Sequence, residues 1–289
     1  LGTALTTGTD NVAIGEASLD AVTTGDNNTA VGDNAAGATT TGSSNTAIGA
    51  DALLLNSTAS YNTAIGNDAM AANTTGAENT AVGWDALTAN TTASNNVAVG
   101  TTALGANTTG TDNVAVGAYA LDANTTTSDN TAIGDNALGA NTADNNTAVG
   151  SSALLVNTTG TANVALGTSA LAANTTANSN TAIGKDALLA NTTGTRNVGV
   201  GASALKTITT ASYNVGVGND VLGANTTGAN NTGVGDQALG ANTTGTENTA
   251  VGSAALDANT TGNYNSGIGF NSLTANTTGE RNNAVGYGT

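Results

Sequence analysis

Apolar and polar positions along this chain follow one short period. The run N-x-(Ala/Gly)-(Val/Ile)-Gly returns with its Asn at 11, 28, 45, 62, 79, 96, 113, 130, 146, 163, 180, 197, 214, 231, 248, 265 and 282. Every spacing is 17 except the step from 130 to 146, which is 16. One full unit, residues 79–95, reads NTAVGWDALTANTTASN. Numbered from that Asn, position 3 is always Ala or Gly, position 4 is Val, Ile or once Leu (Leu166), and position 5 is Gly throughout. Position 9 is Leu in most copies, position 12 is mostly Asn, and positions 13 and 14 are mostly Thr.

Two helices do not fit into 17 residues, and Thr, Asn and Gly stand where a helical repeat needs Ala, Glu, Lys or Leu. Alternation of branched and small residues across positions 2 to 5 predicts a strand over N-x-A-V-G. A second strand is expected at A-L, and N-T-T-G is expected to turn. Each unit becomes one coil of an all-β, parallel β-solenoid (a β-roll), and residues 1–289 form a single repeat domain. Coils rise ~4.8 Å apart, so seventeen of them predict a rod roughly 80 Å long. The one short repeat loses its residue in the turn, at 141–145, where a deletion costs least. The absence of Pro fits a continuous backbone ladder.

The same alternation sets two faces. Positions 3 and 5, as in Ala81 and Gly83, predict a face where backbone approaches closely, and Gly66, Gly83 and Gly100 repeat that constraint coil after coil. Position 4 lays a strip of Val and Ile along the other face, beside Thr or Val at position 2. Such a strip is not expected to stay wet, so both faces are expected to be buried and the chain to pack as a homotrimer. The Asn columns at position 12 (Asn73, Asn90, Asn107, Asn124 and onward) and at position 1 are expected to form amide ladders inside the turns. N-T-T is also a glycosylation acceptor pattern, which a buried ladder would close to modification.

These units resemble a known family. NTAVG and NVAIG followed by a small-residue turn are similar to the N-S-V-A-I-G repeats of trimeric autotransporter adhesin heads, and the longer unit with A-L-x-A-N-T-T-G is similar to repeats of bacterial and bacteriophage tail-fibre-like proteins. The resemblance covers the whole chain. It implies a left-handed parallel β-roll, a trimer, and an extracellular place on a cell surface or virion. The adhesin unit is shorter, 14 residues, so the additional residues here imply a wider turn. No stalk heptads, chaperone domain or membrane anchor are recognisable, and the opening LGTALTTGTD is not read as a signal peptide. With no initiating Met and an end in mid-repeat at YGT, the sequence is expected to be a segment of a longer fibre.

Composition narrows the chemistry. There is no His, Cys or Pro, which excludes Ser–His–Asp triads, thiol nucleophiles, disulfides and His/Cys zinc sites. Four basic residues against twenty acidic give a net charge of −16, which argues against nucleic acid as a partner. No apolar run reaches the ~18 residues of a membrane span, so no insertion is expected. Asp51, Asp68 and Asp85 occupy position 7 of three successive coils, and carboxylates so placed are candidate Ca²⁺ ligands or, more simply, a solvated acidic edge. Nothing marks a catalytic pair, and no enzyme and no cofactor beyond that Ca²⁺ is expected. Trp84, Tyr119, Tyr213, Tyr264 and Phe270 sit at variable positions and are the candidate contacts for a receptor or glycan. The function expected is a rigid fibre shaft or head. The alternatives are an end-to-end polymerising filament and an ice- or surface-binding protein acting through its Thr columns.

Overall fold

The computed structural model describes residues 4–289. Among them the only regular elements are seventeen short parallel strands, each covering positions 2 to 4 of its repeat. The chain divides into two compact units, residues 1–144 and 145–289, and the division falls at the short repeat. The first holds β1 (Val12–Ile14) to β8 (Thr131–Ile133), and the second holds β9 (Thr147–Val149) to β17 (Asn283–Val285). Within each unit every strand pairs with its sequence neighbour in full register, so that Ala81 lies between Ala64 and Ala98. Like positions therefore stack in columns, and each unit is a parallel β-solenoid of ~17-residue turns.

The strand is shorter than the sequence pattern predicts, because Gly at position 5 ends it. These glycines have φ between +130° and +144°, a region essentially closed to other residues. A Cβ on Gly83 would lie 2.5 Å from the carbonyl oxygen of Gly100, one coil on. The close backbone approach expected at this position is thus made to the next coil and not across the same one, and backbone handedness adds to it.

The expected second strand is absent. At A-L the chain instead alternates handedness: Asp85 at position 7 and Leu87 at position 9 have φ of 53° and 52°. The carbonyls of Gly83 and Leu87 accept from the N–H groups of Ala86 and Asn90, closing two tight turns. Other N–H groups still bond between coils, alternately backward and forward. Gly83 and Asp85 donate to Ile65 and Asn67, whereas Thr80, Leu87 and Thr91 donate to Asn96, Ala103 and Thr108. Backbone satisfaction thus continues around the coil where strand geometry does not.

The interior is one side chain thick. Ala81, Ala86 and Leu87 are fully buried, together with Asn79 and Asn90, and the same columns are buried along both units. A left-handed Leu costs ~1–2 kcal/mol, while burying its side chain returns about 1.5–3 kcal/mol. Burial wins, which explains how so many leucines occupy a conformation normally left to Gly, Asn or Asp.

The opposite face is the one that a single coil leaves uncovered, as the two-faced pattern predicts. In the single chain positions 2 and 4 point outward and stay half exposed: Ile14 is 60% accessible, Leu166 45% and Ile48 39%. The branched strip is therefore a surface of the solenoid and not part of its core.

Candidate functional site

With the interior fixed by the repeat, any function resides in the outward columns. The Asn ladders belong to the scaffold. In most coils the position-1 Asn donates its Nδ2–H to the position-15 carbonyl across the same coil, 2.8 Å for Asn79 to Ala93. Its Oδ1 accepts the backbone N–H of the next position-1 Asn, 2.9 Å from Asn96 to Asn79. At position 12, Asn90 donates to Asn73 Oδ1 at 2.8 Å and to the same Ala93 carbonyl at 3.1 Å. Asn107 and Asn124 extend this ladder. All of these amides are buried, so the N-T-T sequons on them are closed in the folded protein.

Val22 and Thr39 hold position 12 before the ladder begins at Asn56, and Ile208 interrupts it within the second unit. Asn191, one coil earlier, keeps a buried Oδ1 with no hydrogen-bond partner. An apolar side chain at that step supplies no N–H.

The Thr columns separate into two roles. At position 13 the hydroxyl donates to the position-13 carbonyl of the following coil, 2.9 Å for Thr74 to Thr91. At position 14 the side chains are exposed, as in Thr75 and Thr92. Of these two columns, position 14 is the one that turns its hydroxyls to solvent.

Asp51, Asp68 and Asp85 occupy one column with left-handed φ near 55°, a conformation Asp tolerates well. Burial, and then the neighbouring charge of Asp68, push the Asp85 carboxyl above its ordinary pKa. Asn34 donates to Asp51 and Asn67 to Asp68. Among the described residues no group of three or more acidic side chains converges as a metal-ligand set. An open recess of about 230 Å³ lies between Asp220, Gln237, Gly240, Ala241 and Asp257.

The candidate aromatics are all exposed, but they are not equivalent. Trp84 and Tyr119 are 54% and 42% accessible. Phe270 stacks on Tyr287, centroids 5.3 Å apart. Tyr213 and Tyr264, both at position 17, carry the guanidinium groups of Arg196 and Arg281 at 5.4 and 5.6 Å from their ring centroids. Arg196 also donates to the Tyr213 hydroxyl. The sequence places these four residues in one column; the pairing across coils comes from the structure.

No helix among the described residues is long and apolar enough to cross a membrane. No protein-family model matches the chain, and no curated protein matches it.

Proposed function

We propose that this chain is the rigid part of an extracellular fibre, a shaft or head segment of a bacterial surface adhesin or a phage tail fibre, working as a homotrimer. The observation that supports this most is the strip of Val and Ile at position 4, half exposed along both units. Straight, periodic and apolar, it matches a second and third copy in register better than it matches any small ligand. Burying it in a trimer removes the apolar surface that a monomer leaves wet. Registered backbone ladders and two buried amide ladders supply stiffness, and the acidic surface opposes lateral bundling of finished fibres. The work is mechanical, holding other parts at a distance or offering lateral surface to a receptor.

Solution mass by light scattering at several protein concentrations tests this. A fixed mass near three times 27.5 kDa is expected. A stable monomer would overturn the trimer, and a mass growing with concentration would favour an end-to-end filament. A second reading, binding to ice, draws support from the exposed position-14 hydroxyls at regular coil spacing. Absence of thermal hysteresis at millimolar protein would remove it.

A further inference from the structure

Position 17 of the second unit carries a sequence of side chains found nowhere else in the molecule: Arg196, Tyr213, Asn230, Glu247, Tyr264 and Arg281. All six are exposed. Their backbones share one conformation, φ between 56° and 63°, and each N–H donates to the position-16 carbonyl of the preceding coil. Side chains leaving identical backbones in one registered column leave in the same direction. The result is a straight row with one side chain per ~4.8 Å coil step.

The row is close to symmetric about its middle. Each Tyr has an Arg on its outer side, and Asn230 and Glu247 stand between the two tyrosines. The rings are three coil steps apart, roughly 14 Å. Both arginines restrain their rings, which lowers the side-chain entropy lost when a ligand docks. Yet Tyr213 and Tyr264 remain 50% and 47% accessible. A row with two held aromatic surfaces at its flanks and an amide and a carboxylate between them offers apolar contact and hydrogen bonding in alternation.

We propose that this row binds an extended, linear oligosaccharide lying along the column. A pyranose ring is about as long as one coil step is high, so successive sugars meet successive side chains without slipping out of register. The C–H faces of two sugars pack on Tyr213 and Tyr264, and hydroxyls between them bond to Asn230 and Glu247. Nucleic acid is disfavoured by the net charge of −16 on the whole chain. This assignment goes beyond the fibre role and does not rest on it.

The experiment is a titration of the intact chain with cellohexaose and with chitohexaose, followed by tyrosine fluorescence and calorimetry. Maltohexaose, whose linkage curls the chain, is the control. Saturable binding of at least one extended hexaose is expected, with little or none for maltohexaose. Tyr213→Ala and Tyr264→Ala should each weaken it at least tenfold, the loss typical of removing a central aromatic contact. Tyr61→Ala, in the same column of the first unit, should leave it unchanged. No saturable signal with either extended hexaose, or equal binding after both second-unit substitutions, overturns the proposal. Because all three substituted tyrosines are exposed, an unchanged melting temperature verifies that each variant is folded. Solution mass, read separately, keeps failure of this site distinct from failure of the trimer.

Discussion

The two units share one coil and wear different surfaces. Their interiors repeat the same Asn, Ala and Leu columns with the same burial. Fourteen acidic and no basic residues precede the division, whereas six acidic and four basic follow it, so the first unit carries −14 and the second −2. Column 17 shows the contrast at its sharpest. In the first unit it reads Asp10, Asn27, Ser44, Tyr61, Glu78, Asn95, Asp112 and Asp129, with one aromatic and no cation. In the second, two arginines flank two tyrosines. Shape here is dictated by inward positions, which leaves outward ones free to diverge without disturbing a single ladder.

If the interior is common to both units, equivalent lesions should cost the same in either. The largest effect is expected for Gly83→Ala in the first unit and Gly252→Ala in the second. Each forces a Cβ to within 2.5 Å of a carbonyl oxygen at a φ above 130°. Losses of more than ~3 kcal/mol in urea unfolding are expected from strain and clash together. Leu87→Ala and Leu239→Ala come next, at about 2–4 kcal/mol each, because each leaves a cavity while Ala keeps the Cβ that makes the left-handed backbone costly. A clear inequality between the members of either pair would show that the interiors are not energetically equivalent.

The ladder break distinguishes the units on a smaller scale. Ile208→Asn should supply the missing donor for Asn191 Oδ1. Its effect should lie within ~1 kcal/mol of zero, since the gained bond and the lost apolar burial are of similar size. In the first unit the run from Asn56 to Asn124 is unbroken, and the apolar residue of the column, Val22, lies before that run begins.

Acid should act mainly on the first unit. The Asp85 carboxyl is held above its ordinary pKa by burial and by Asp68. The folded state therefore takes up its proton before the unfolded state does, and stability falls as pH rises through that range. Mild acidification from neutral pH towards 4 should raise the melting temperature slightly, and Asp85→Asn should flatten that dependence. A chelator is expected to lower the melting temperature only if Ca²⁺ sits in the Asp51, Asp68 and Asp85 column. The smallest effect belongs to Glu78→Arg, which sets a cation one coil after Tyr61 as Arg281 follows Tyr264. An exposed pair of this kind contributes ~0.5–1 kcal/mol, and the variant should acquire weak affinity for the extended hexaoses if the column proposal holds.

Much of this architecture was legible in the residues. The 17-residue period fixes the columns, the invariant Asn marks a ladder, and Ala or Gly at position 3 marks the tight inner face. Other features were legible only in part or not at all. Leu at position 9 gives no hint of a left-handed backbone, because its propensity points the other way and only burial in the finished coil overrides it. Asp and Asn at position 7 carried that signal, since both tolerate φ above zero, but their spacing also invited a metal reading. The Val and Ile strip was legible as the face the coil itself does not cover, but alternation does not say what covers it. Arg196 and Tyr213 stand 17 apart, so their neighbourhood follows from the period, whereas the contact between their side chains needs coordinates.

The amide columns also have a direction. At positions 1 and 12 alike, the Nδ2–H of most of the Asn residues aims at the Oδ1 of the coil before it, as in Asn45, Asn90 and Asn259. The dipoles thus add head to tail, each polarising the next. A coil in place thus shows open acceptors to the repeat that follows and open donors to the one before, so the two ends of such a ladder are chemically unlike.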